Sequence, residues 1–178
     1  FGNRFHPIAV NDTGDGVLVF DNYQQDKTGL FELKLADFSY RQVFTDSKVD
    51  ISSVEVTKDG NEVFAFKLDD GRPGYALFSD QYAEAKLFKQ LLQTFAGDAL
   101  HITSKTADSA FWVVFSYSDI NPGAYYLYDA NKKAITRLFE QMPDLADVGL
   151  ASTQPVSFPS FDKKMIHGYF TPAKTPGS

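Results

Sequence analysis

Two histidines and a serine fall on one repeated position of this 178-residue chain, and their side chains could do chemistry together. His6, Ser52 and His101 each stand fourteen residues ahead of a phenylalanine (Phe20, Phe66, Phe115) that closes an apolar run. Imidazoles with a hydroxyl can hold a metal ion or a substrate carboxylate, so these three are candidate channel-lining residues. Zinc normally wants three or four ligands, however, and a position set by the repeat is the commoner meaning of such spacing. No residue is assigned as catalytic, metal-binding or cofactor-binding. With no cysteine, disulfides and thiolate metal sites are excluded.

Acidic side chains recur too. Asp12 and Asp15, then Asp59, then Asp108 precede the three apolar runs. Such turns can bind calcium, but an Asp that bonds backbone amides two residues on is far more common. Asn11-Asp12-Thr13 fits a glycosylation sequon. Asp69-Asp70-Gly71-Arg72 reads as a solvated, charged loop tip. Trp112 with Tyr125, Tyr126 and Tyr128 offers an aromatic wall, for which packing between sheets is the plainer role.

What must position these residues is a repeat. NDTGDGVLVF (11–20), TKDGNEVFAF (57–66) and TADSAFWVVF (106–115) share one layout, offset by 46 and 49 residues. A glycine follows eight or nine residues after each (Gly29, Gly74, Gly123) and opens a second apolar-aromatic stretch. Self-similarity at this period marks propellers and related arrays of small sheets. The expected fold is mostly β, an incomplete β-propeller of about three antiparallel blades at 5–45, 51–97 and 99–141. A connector over 142–154, a hairpin over 155–172 and a loose tail over 173–178 complete the division.

The middle repeat departs from the pattern. Leu87, Phe88, Leu91, Leu92 and Phe95 share one helical face, which predicts a helix near 81–95 in place of a fourth strand. Ser79 or Asp80 would cap its start and Gly97 its end.

Composition excludes several classes. The net charge of −6, without any basic run, disfavours nucleic-acid and anionic-membrane binding. No apolar stretch approaches the roughly 20 residues that cross a bilayer as a helix. Three blades are fewer than the about four to eight that close a ring. The chain therefore reads as a piece of a longer protein, with blade edges open to self-association.

The closing segments carry a family resemblance. Pro122, Gly123, Tyr125, Tyr126, Leu127, Tyr128 and Asp129, followed by Val156, Phe158, Asp162, Ile166, Gly168, Tyr169 and Pro172, resemble the junction of propeller and hydrolase in the prolyl oligopeptidase family of serine peptidases. The acylaminoacyl-peptidase and dipeptidyl-peptidase-like branch is the most similar. Asp162-Lys163 departs from the Asp-Gly usual in the hairpin turn. The resemblance implies that the propeller caps the active site and limits which peptides enter. It also implies a partner, an α/β-hydrolase domain that carries a G-x-S-x-G elbow. This chain has no such elbow: Gly149-Leu-Ala-Ser152 lacks the spacing. We therefore expect a non-catalytic propeller segment that gates or positions a peptide substrate and does not hydrolyse peptides by itself. The alternative is a free-standing propeller-repeat protein that binds partners.

Overall fold

The computed structural model describes residues 5–173 except 12, 58, 61 and 146. The fold is mostly β with one α-helix, as expected, and its sheets are antiparallel and blade-like. The first sheet runs in order β1 (His6–Val10), β2 (Gly16–Asp21), β3 (Gly29–Lys34), β4 (Tyr40–Phe44). The second holds β5 (Ile51–Val56), β6 (Val63–Asp69) and β7 (Pro73–Leu77). The third holds β8 (Ala99–Lys105), β9 (Phe111–Tyr117), β10 (Ala124–Asp129) and β11 (Ala134–Glu140). β12 (Gln154–Pro159) and β13 (Met165–Phe170) form a separate hairpin.

The repeat seen in the sequence is a repeated hydrogen-bonded turn. The backbone N–H groups of Asn11, Thr57 and Thr106 donate to the carbonyls of Gly16, Glu62 and Phe111 at 3.0, 2.8 and 2.9 Å. A side-chain oxygen of the same three residues accepts the N–H of Gly16, Glu62 and Phe111 at 3.0, 3.2 and 3.0 Å. Asn and Thr are interchangeable here because each offers one short-armed oxygen to the far side of the turn.

Helix α1 (Ala83–Thr94) stands where the other sheets have a fourth strand. The Ser79 hydroxyl accepts the Gln81 N–H at 3.4 Å as the chain approaches its start, and Gly97 at φ +95° follows its end. Ala85, Phe88 and Leu91 are buried, while Lys86 and Lys89 face solvent. Three of the five apolar side chains predicted for its inner face are less covered: Leu87, Leu92 and Phe95 are half-buried.

The chain divides into two compact units, Phe1–Asp70 with Gly74–Gln90, and Gly71–Pro73 with Leu91–Ser178. In the first, Leu30, Ile51, Val63 and Phe66 form the core, and Phe44 stacks on Phe66 with ring centroids 4.4 Å apart. Phe88 of the helix meets Phe64 and Tyr75 edge-on. In the second, Tyr125 packs between Phe115 and Phe139 at 4.7 Å from each, while Tyr126 leans on Phe95. Trp112 and Tyr128 are cross-strand partners and both are buried. Trp112 and Tyr128 are thus core residues, whereas Tyr125 and Tyr126 pack in half-buried positions.

Candidate functional site

His6 on β1 pairs with Phe20, and His101 on β8 pairs with Phe115, so these two do occupy one register position. Each sheet then carries a bulge two residues on, which leaves Ile8 and Thr103 without a direct partner. The middle sheet breaks this equivalence. Its pairing slips on β6 at Phe64 and on β5 at Ser52, so Val54 faces Phe66. Ser52 is the extra residue of its bulge, and its hydroxyl donates to the Lys67 carbonyl at 3.2 Å. A bulge inserts one residue and rotates everything beyond it, so counting along the chain cannot locate it. His6 and Ser52 belong to the first unit and His101 to the second. His6, Ser52 and His101 are all exposed.

The recurring aspartates serve their turns. Thr57 and Thr106 donate to Asp59 and Asp108 at 2.5 Å each, and Asp108 accepts the Ala110 N–H at 3.0 Å. Asp15 accepts from Thr13, from Asn11 at 2.8 Å and from Lys34 at 2.9 Å, and these donors hold its carboxyl far below the usual carboxylate range. Asp12 lies outside the described residues. The sequon asparagine is equally committed. Its amide donates to Asp15 and Glu32, and its carbonyl accepts from Asp15 and Gly16. Among the described residues, no group of three His, Cys, Asp or Glu side chains is placed to hold a metal ion.

A cleft of about 240 Å³ opens in the first unit, a feature with no signature along the chain. Leu18, Leu30, Val43 and Val63 line its apolar part, and Glu32 and Arg41 lie among its polar walls. Arg41 donates to Glu32 at 2.7 Å and Asn11 donates to the other carboxylate oxygen at 3.0 Å. The guanidinium first, then the amide, lower the Glu32 pKa below its ordinary value. The carboxylate and the guanidinium thus satisfy one another in the wall of the cleft.

The second unit anchors its hairpin at the root and exposes the rest. Asp119 accepts the Thr153 N–H at 2.5 Å and the Ser152 hydroxyl at 3.2 Å. These bonds, the backbone amide foremost, pull its carboxyl below the usual range. Thr153 and Thr171 share a hydroxyl hydrogen bond of 2.7 Å across the base. Gly71 (φ +76°) lies so close to Pro155 that a Cβ would come within 2.7 Å of that ring. The charged loop tip is therefore a packing surface as well as a solvated one. Beyond the root, Val156, Phe158, Met165, Ile166, Tyr169 and Phe170 are all exposed, and Phe161 at the tip is 100% exposed.

One pair escaped the sequence reading. The Ser157 hydroxyl and His167 Nδ1 lie 2.9 Å apart as cross-strand partners. A serine beside an imidazole begins an acyl-transfer dyad. Here both side chains are exposed on a hairpin, away from the strand-to-helix elbow that raises such a nucleophile. Nothing in the spacing of ten residues marks the pair until the register is known.

No protein-family model matches the sequence. The chain is 26% identical over 165 residues to the dipeptidyl aminopeptidase BIII of Pseudoxanthomonas mexicana, covering 93% of this chain and 24% of that enzyme. It also superposes on a solved structure from a study of two prolyl endopeptidases, with a TM-score of 0.53 and 14% identity, over 95% of this chain and 24% of that one. The resemblance drawn from the hairpin and third-blade motifs is thus supported from two sides. The chain is similar to a propeller segment of prolyl-oligopeptidase-like peptidases, and spans about a quarter of the relatives it matches.

Proposed function

We propose that this chain gates or positions a peptide substrate for an α/β-hydrolase domain of the same parent protein, and that the reactive serine lies in that domain. One observation carries this reading: the hairpin that follows the three blade-like sheets exposes its apolar side chains. An apolar strand pair of that kind favours cover by a further layer. The pairing of a propeller segment with a peptidase relative supports a peptide as the molecule being admitted. In this reading the channel-lining candidates remain those of the repeat, His6, Ser52 and His101, each on the first strand of its own sheet.

The test is the parent reading frame beyond Ser178, joined to an assay. A His-Gly-Gly stretch and then G-x-S-x-G within a few hundred residues support the proposal; a stop codon soon after Ser178 favours the free-standing binding protein. The 178-residue chain alone should show no acyl-substrate hydrolysis. Inhibitor-sensitive turnover by this chain would contradict the assignment of the nucleophile elsewhere.

A further inference from the structure

We propose that Asp119 is a latch that sets the direction of the β12–β13 hairpin relative to the third blade-like sheet. Among the described residues, the strands of the hairpin offer little packing that would fix a direction. Both of its strands are exposed along their length apart from half-buried Gly168, so its own packing is slight. Three contacts gather at its root instead: the Asp119 carboxylate on Ser152 and Thr153, the Thr153–Thr171 hydroxyl pair, and Gly71 against Pro155. Asp119 alone among these groups reaches from the third sheet's β9–β10 loop to the connector, thirty-four residues along the chain. A carboxylate that accepts a backbone N–H and a hydroxyl makes charge-assisted bonds, and these are stronger than neutral ones.

The loop that presents Asp119 is itself braced. Asp98 accepts from the buried Ser116 hydroxyl at 2.6 Å and from Asn121 at 2.7 Å, and Ser118 N–H donates to the Asn121 carbonyl at 2.9 Å. The latch therefore projects from a rigid turn, so loss of its hydrogen bonds should free the hairpin without loosening the sheet. This inference concerns groups within the chain and stands whether or not a hydrolase domain follows.

The experiment is a distance measurement between spin labels at F161C and K132C, both exposed and both free of competing thiols because the chain has no cysteine. The parent sequence should give a narrow distance distribution, and Asp119→Ala a markedly broader one. The Thr153 amide should exchange about tenfold faster in that variant, the change expected for one charge-assisted bond at an exposed site. Trp112 fluorescence should stay unchanged, which separates release of the hairpin from unfolding of the sheet. Asp119→Asn keeps a side-chain carbonyl for the Thr153 N–H and should fall between the two. It also serves as the test if the alanine variant fails to fold. An unchanged distribution with unchanged Thr153 exchange in a folded variant overturns the proposal.

Discussion

Gly123 lies directly beneath the ring of Phe115, at φ +113°, where a Cβ would come within 2.7 Å of Phe115 Cζ and 2.7 Å of Gln141 Oε1. The glycine that opens the third repeat's second apolar stretch thus makes room for the phenylalanine that closes its first. Gly123→Ala should cost about 2–4 kcal/mol, the sum of left-handed backbone strain and overpacking. Phe115→Leu removes the clashing ring atoms, so in a double-mutant cycle it should recover part of that loss. Additive effects in urea denaturation would show that the contact is not the cause.

The three strand-closing phenylalanines are not equal. Phe66 is 0% exposed in the core of the first unit, whereas Phe20 is half-buried at its edge. Phe66→Ala should therefore cost about 3–5 kcal/mol and Phe20→Ala clearly less. Equal losses on thermal or chemical denaturation would contradict the packing described above.

Tyr40 donates to the buried Asp21 carboxylate at 2.7 Å and stacks on Phe31. Desolvation first, and then that bond to a carboxylate, raise its pKa well above the ordinary tyrosine value near 10. The raised value belongs to the folded state. Its stabilising contribution is therefore fully present below about pH 10 and is lost as pH rises through the folded pKa. A stability–pH profile should fall on the alkaline side, and Tyr40→Phe should flatten that fall at a cost of about 1–2 kcal/mol at neutral pH. An alkaline slope identical in the variant would assign the effect to another group.

The hairpin turn holds Lys163 at φ +64°, where the resembling pattern has glycine. A lysine pays about 1–2 kcal/mol for that left-handed conformation and glycine does not. Lys163→Gly should raise the folded population of the hairpin, read from cross-strand contacts between Ser160 and Lys164. A lower population would show that the side chain itself supports the turn.

Self-association is the outcome expected of open sheet edges and an exposed apolar hairpin. Light scattering should report a mass above that of one chain, growing with concentration. A strictly monomeric profile would remove this expectation.

Local chemistry made a good part of this protein legible in its sequence. The turns at Asn11, Thr57 and Thr106 repeat because an oxygen at one fixed position can always reach the same amide, and that rule needs no tertiary context. The helix at Ala83–Thr94 was legible for a similar reason, since its apolar residues recur at helical spacing. The tertiary structure decided matters that depend on partners far along the chain. It set which phenylalanine is fully buried, moved the register so that Val54 and not Ser52 faces Phe66, and brought Asp119 to Thr153. Bulges, burial and long-range carboxylate bonds depend on the fit between surfaces, and no spacing within one strand encodes that fit.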